Sequence, residues 1–337
     1  MSVLETLQRR AAAHPAHIVL SEGFDSRIVA AAVRAVDAGL GCITLVGDAA
    51  TVTEQLSAIG PAPSEMLNIA DPATSLLSNE VADTFFALRQ HKGVTQEKAQ
   101  QLTREPMIFA AKLVRMGHAD GTIGGAVATT SDTVRAALQV IGKAPDAALV
   151  SSFFLMVLPE GHASGRDVMI FSDSGLVIDP NAVELAAIAA QSAASYKALL
   201  GADPKVAMLS LSTTGSARHG SVTKVTDAAK LLRENHPDIA SDGELQFDAA
   251  FDPDVGASKA KGSDVAGHAN VMIFPNLDAG NIGYKIAQRV GGCAAIGPIL
   301  QGLAKPANDL SRGCTADDVM HMIAVTALQA AALKERT

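Results

Sequence analysis

The chain has 337 residues, a formal net charge of -8, 18% charged and 48% hydrophobic residues. At roughly 100–200 residues per domain this length corresponds to two domains, and a mean hydropathy of +0.22 excludes a disordered chain. The acidic balance argues against nucleic acid and anionic membrane surfaces as partners, because both need a basic face.

Short apolar runs alternate with helical patterns along most of the chain. Residues 18–21 read as a strand, and 25–38 as a helix with Ile28, Val29, Ala32, Val33 and Val36 on one face. Residues 42–46 form the next expected strand, closed by Gly47-Asp48, and 66–69 a third. Residues 81–90 and 106–116 read as helices, and 121–125 as a short strand before a helix over 132–141. This βαβα alternation predicts a parallel sheet covered on both faces. Residues 148–158 and 168–171 then read as an antiparallel hairpin around a Pro-Glu-Gly-His turn. Helices are expected over 181–200, 222–235, 279–290 and 315–333, with strands at 206–211, 271–274 and 294–299. Domain changes are placed near 145, at Gly142-Lys143-Ala144-Pro145, and near Pro298. The expected organisation is a first α/β domain of 1–145 plus about 298–337 and a second of about 146–297.

Several familiar motifs are missing. Cys42, Cys293 and Cys314 form no C-x-x-C pair, so neither a zinc ribbon nor a disulfide framework is expected. The nine histidines form no metal pair at helical spacing, so no metal site is expected. No G-x-G-x-x-G follows a strand. The segment GSARHGSV (215–222) has the two glycines of a phosphate loop, but Ser221 stands where the lysine must be. Residues 1–16 lack the apolar core of a secretory signal, and no run of about 18 or more apolar residues occurs. A soluble cytoplasmic protein is expected.

Three loops carry residues that suit an anion. Residues 209–220 (LSLSTTGSARHG) and 124–135 (GGAVATTSDTVR) each run from a strand into a helix, where backbone N–H groups and the helix dipole favour negative charge. In the second, Ser131 is a candidate cap and Arg135 lies one turn in. The alternative for both is ordinary helix capping. The third loop, 305–318 (KPANDLSRGCTADD), brings together Asn308, Ser311, Arg312, Gly313 and Asp318. Thr315 and Asp318 have capping-box spacing, which would make Asp318 only a helix-start residue.

KPANDLSRGCTADD closely resembles the C-terminal hallmark of the phosphate acetyltransferase (phosphotransacetylase) family. PNLDAGNIGYKIAQR (275–289) is similar to a second block of that family. LSLSTTGSA, 121–135 and the opening Leu20-Ser21-Glu22-Gly23 with Asp25 and Arg27 follow in the family's order. The resemblance spans essentially the whole chain. It implies two α/β domains with a cleft between them, like isocitrate and isopropylmalate dehydrogenases, and a homodimer. It also implies reversible transfer of an acetyl group between coenzyme A and phosphate, with acetyl-CoA, acetyl phosphate and phosphate as substrates and no permanently bound cofactor. By motif position, Asp318 resembles the catalytic base, and Ser311 and Arg312 the groups that steady the acyl phosphate. Arg135 and Arg289 resemble active-site arginines and Arg89 a coenzyme A-binding arginine; Ser131 and Asn308 are further substrate-binding candidates. Two departures stand out: Ser172-Asp173-Ser174 replaces the Ala-Asp-Cys of many relatives, and Thr214 stands where lysine is common.

The chemistry fits these residue types. A free thiol has a pKa of about 8.5, so little thiolate exists at neutral pH, and a carboxylate base removes the proton during attack. No nucleophile–base pair is evident, which favours direct transfer in a ternary complex. The alternatives are a phosphate acyltransferase preferring propanoyl or butyryl groups, and a metal- and nicotinamide-dependent hydroxy-acid dehydrogenase of the same fold group.

Overall fold

A computed structural model describes residues 2–60 and 63–335. The chain divides into two compact units, residues 1–145 with 303–337, and residues 146–302.

In chain order the first unit contains α1 (Val3–Ala12), β1 (Ala16–Leu20), α2 (Ser26–Asp37), β2 (Gly41–Val46), α3 (Ala49–Ile59), β3 (Leu67–Ala70), α4 (Ser78–Arg89), α5 (Gln96–Leu102), α6 (Pro106–Met116), β4 (Gly121–Gly124) and α7 (Thr130–Ala136). The second unit contains β5 (Ser151–Val157), β6 (Val168–Ser172), α8 (Ala182–Leu200), β7 (Lys205–Leu209), α9 (Gly220–Asn235), β8 (Ala240–Leu245), α10 (Phe247–Phe251), α11 (Pro253–Lys259), β9 (Val271–Ile273), α12 (Leu277–Arg289) and β10 (Ala294–Gln301). The chain then returns to the first unit with β11 (Ala307–Asp309) and α13 (Ala316–Lys334).

The first unit's sheet has the order β11-β4-β1-β2-β3, and every pairing in it is parallel. Ile18, Leu20, Ile43, Leu45 and Ile123 are fully buried in it, the near-continuous apolar character of a parallel sheet covered on both faces. The second sheet is mixed, in the order β10-β5-β6-β9-β7-β8. The β5–β6 hairpin is antiparallel, as is the β10–β5 pair, and the remaining pairs are parallel. Its core gathers Phe154, Met156, Phe171, Leu209, Met272 and Phe274. Two expected elements change. The helix expected over 132–141 is an α-helix only to Ala136 and continues as a wider π turn over Ala137–Ile141. Part of the C-terminal loop is a strand, β11, held by pairing with β4.

One side chain in the first unit is out of place by charge. Lys112 on α6 is 1% exposed. Burial, with the like charge of Arg115 and against the pull of Glu80, brings its ammonium down from 10.5 to about 8. The fold therefore disfavours the charged form, and stability rises as pH climbs from about 8 to about 10.5. Lys112→Met is expected to stabilise the protein by about 1–3 kcal/mol at pH 7, with the gain shrinking towards pH 10. Urea midpoints at the two pH values read this, and an equal change at both would remove the charge explanation.

Candidate active site

The loops that follow β1, β4 and β11 lie side by side, because these three strands are neighbours in a parallel sheet. Carboxyl ends of strands are where open α/β sheets place their ligands. Two buried or half-buried acids and one arginine organise these loops.

Glu22, just after β1, is 3% exposed. Its Oε2 accepts from the Ala126 N–H at 2.7 Å, and its Oε1 from the N–H groups of Val127 and Ala128 at 3.0 and 2.8 Å. The 124–135 loop was expected to offer these donors to an anion. They instead hold the chain's own carboxylate.

Arg27, in the first turn of α2, is the staple. Its Nε and Nη2 donate to Asp25 at 3.0 and 2.8 Å. Its Nη1 donates to the carbonyls of Arg312 and Cys314, both at 2.9 Å, and its Nη2 to the Ala126 carbonyl at 2.9 Å. Asp25 also caps α2 through the Arg27 N–H at 2.9 Å. The Arg27 side chain holds the Asp25 carboxyl below its usual range, and Asp25 raises Arg27 in turn. One guanidinium thus ties together the three loops. Glu22, Asp25 and Arg27 belong to a block recognised in the sequence, but nothing local to it shows which distant loops they hold.

Ser311, Arg312 and Asp318 lie on the turn that enters α13. Ser311 Oγ accepts from the Gly313 N–H at 3.3 Å, and the Ser311 carbonyl accepts from the Cys314 N–H at 2.9 Å. Ser311 and Arg312 are exposed, and Asp318 is half-buried. The capping box is present: Asp318 Oδ2 accepts from the N–H and hydroxyl of Thr315 at 2.8 and 2.9 Å, and Thr315 Oγ1 accepts from the Asp318 N–H at 3.2 Å. These bonds use Oδ2 and leave Oδ1 outside the cap. Cys314 is 6% exposed, and burial pushes its thiol up, partly offset by Arg27. A buried, protonated thiol is a poor nucleophile.

Arg135 is exposed and bonds to Asp132 at 2.8 Å within α7. The cap of α7 is Thr129, whose hydroxyl accepts from the Asp132 N–H, and not Ser131; Ser131 is left exposed. Asn308, expected at the substrate, is 1% exposed. Its Nδ2 donates to Thr326 Oγ1 at 2.9 Å and Gln329 Oε1 at 2.7 Å. A buried amide needs such partners, and here they anchor β11 to α13. Arg89 is the last residue of α4 and is half-buried. Arg289 belongs to the second unit, exposed at the end of α12.

In the second unit the 209–220 loop repeats the plan seen around Glu22. Glu244 accepts from the Gly215 N–H at 2.7 Å, Ser212 Oγ at 2.9 Å and Thr226 Oγ1 at 3.1 Å. Burial raises its pKa, but these bonds outweigh it and hold the carboxyl below its ordinary value. Thr214 in this loop adopts φ 49, unusual for a β-branched residue. Ser174 is fully buried. Among the described residues, no group of three or more His, Cys, Asp or Glu side chains could hold a metal ion, and no helix is long and apolar enough to cross a membrane.

Residues 2–327 match the family described as Phosphate acetyl/butaryl transferase. The chain is 50% identical over 329 residues to the phosphate acetyltransferase of Paracoccus denitrificans, covering 98% of this chain and 99% of that one. It superposes on a phosphotransacetylase from Streptococcus pyogenes with a TM-score of 0.90 at 42% identity, covering 98% of each chain. A putative 4-hydroxythreonine-4-phosphate dehydrogenase from Salmonella typhimurium shares the fold at a TM-score of 0.52 and 13% identity, covering 94% of this chain and 99% of that one. A match of this extent leads to one conclusion: the chain belongs to the phosphate acetyl/butaryl transferase family.

Proposed function

We propose that the protein is a phosphate acetyltransferase that moves an acetyl group reversibly between coenzyme A and phosphate. One observation carries the reading beyond family membership. Ser311, Arg312 and Asp318 share a single turn, and Arg27 locks that turn to the loops after β1 and β4.

In the direction of acetyl-CoA formation, Asp318 takes the thiol proton as the sulfur attacks the acetyl carbonyl of acetyl phosphate. Arg312 and the Ser311 hydroxyl stabilise the charge that develops on the carbonyl oxygen, a contribution of about 10²–10³ in turnover for one such contact. The C–S bond forms as the C–O bond to phosphate breaks, and the phosphate departs with its charge held by Arg135 and Arg289. Arg135 exchanges its exposed partner Asp132 for the phosphate. The transfer is direct within a ternary complex, in keeping with the raised pKa of Cys314. Ser131 adds a hydroxyl to the phosphate site, while Asn308 acts through β11. The two-domain arrangement with a cleft, the homodimer and the cytoplasmic location expected from the resemblance belong to the same proposal.

The test is phosphate-dependent release of coenzyme A from acetyl-CoA, run beside propanoyl- and butyryl-CoA. A faster reaction with the longer acyl groups would assign the protein to them instead. No phosphate-dependent thiol release with any of the three would overturn the reading. Within this assay, Arg89→Ala is expected to raise the KM for acetyl-CoA about tenfold, the worth of one charge-assisted contact. An unchanged KM would remove Arg89 from the coenzyme site.

A further inference from the structure

Asp309 closes β11, two residues before Ser311. It is 0% exposed, and neither carboxyl oxygen has a hydrogen-bond partner. A buried carboxylate without donors is costly, so such a group calls for an explanation.

Its surroundings show how poorly donors serve it: only the Thr130 and Thr133 hydroxyls and the Leu310 N–H lie towards it, none within full hydrogen-bond geometry. Gly125, at φ +97, brings its backbone so near that a Cβ there would collide with Asp309 Oδ1. The N–H groups that follow Gly125 are taken by Glu22. From α7, the hydroxyls of Thr130 and Thr133 face it, but Thr133 Oγ1 donates to the Thr129 carbonyl at 3.3 Å. From α13, Thr326 is engaged with Asn308. The charged group acting on Asp309 is Glu22, of the same sign. Arg27 is spent on Asp25 and three carbonyls, and Asp132 pairs with Arg135. Burial, opposed by the two threonine hydroxyls and reinforced by Glu22, pushes the Asp309 carboxyl up to about 6.

We propose that Asp309 is a positioning residue for phosphate, joining the segment that carries Ser131 and Arg135 to the turn that carries Ser311 and Arg312, and holding both ready for an anion only while it is neutral. This rests on the phosphate site proposed above. When Asp309 ionises, a second buried negative charge appears beside that of Glu22 and beneath both segments. The Thr130 and Thr133 hydroxyls, which already face it, are then drawn closer and pull on the first turn of α7. Both changes weaken binding of a phosphate dianion, so its affinity falls as pH rises through the titration of Asp309.

The experiment compares the KM for phosphate of the wild type and Asp309→Asn from pH 5 to 7.5 in the coenzyme A-release assay. Phosphate's own ionisation is common to both enzymes and cancels in the ratio. The wild-type KM divided by the variant KM is expected to be near one at pH 5 and to rise about three- to tenfold by pH 7.5, the scale of one nearby charge in a partly polar interior. The change should fall on KM, whereas a merely structural role would move both proteins in parallel across the range. Parallel profiles would overturn the proposal. Calorimetric titration of both proteins with inorganic phosphate at pH 5 and 7.5 gives the same comparison without turnover. An enzyme that binds phosphate with this pH dependence but releases no coenzyme A would defeat the proposed reaction while leaving the role of Asp309 standing. If Asp309→Asn does not fold, Asp309→Ser, also uncharged and smaller, gives the same readout.

Discussion

Asp318→Asn is expected to lower the turnover of phosphate-dependent coenzyme A release by about 10²–10⁴, the usual contribution of a positioned general base. The substitution keeps the shape of the side chain at the third position of α13. Its amide oxygen can still accept from the Thr315 N–H or hydroxyl, so the turn carrying Ser311 and Arg312 stays in place. What disappears is the ability to take a proton from a thiol that is mostly un-ionised at neutral pH. Asp317→Asn is the control, because Asp317 is exposed and bonds to Arg34 on α2 at 2.7 Å. Turnover close to wild type in Asp318→Asn, with Asp317→Asn likewise active, would leave Asp318 as a capping residue and nothing more. A large loss in Asp318→Asn accompanied by lost helical signal would point to the cap and not to the base. Circular dichroism of both variants belongs in the same experiment.

Glu22→Ala is expected to cost at least about 3 kcal/mol of stability, since three backbone donors lose a charged acceptor and each such bond contributes about 1.5–3 kcal/mol. The sum falls short of three independent bonds, because part of the loop can relax and admit water. The three donors lie in the segment leading to α7, so the position of Ser131 and Arg135 should degrade together with stability. Thermal unfolding should begin roughly 6–10 °C lower, and the KM for phosphate should rise. A variant with wild-type stability would show that water replaces the carboxylate without loss. The same logic applies to Glu244 in the second unit, whose bonds are present above the ordinary carboxylate range and are lost on acidification through its lowered value.

Strongly periodic segments were legible in the sequence. The α13 helix with its Thr315–Asp318 capping spacing, the α8 helix and the β5–β6 hairpin all follow from apolar spacing, cap residues and a turn signal. Among the described residues, α1, α3, α5, α10 and α11 and the strands β8 and β11 escaped; α1 did so although Ser2 and Glu5 form a capping box, whereas the two strands lack such features. β8 reads ASDGEL, polar in its first half, because it lies at the edge of its sheet and only its end is buried. β11 is three residues long inside a polar motif, and it is a strand only because β4 offers it a ladder. Ser131 stands directly before the helix expected from 132 and is a cap candidate there, yet the helix begins at Thr130 and Thr129 reaches the Asp132 N–H. Asn308 sat among polar site residues in the sequence, and its burial against α13 shows only when the helix is packed.

The candidate site divides in the same way. The residues proposed to carry chemistry, Ser311, Arg312 and Asp318, stand within eight positions of one another, so a linear motif was enough to group them. Their total charge context was not informative: a net charge of -8 describes the whole molecule and not a turn bearing one arginine and stapled by another. By itself, the sequence determined most of the helices, most strands and the family, because these depend on periodicity and on contiguous motifs. Only the tertiary structure decided which backbone donors remain free for a ligand. Glu22 reaches N–H groups 104–106 residues away, and Glu244 one that is 29 residues away. A loop rich in glycine and threonine announces donors, but the acid that occupies them comes from another strand, and only packing brings that strand alongside.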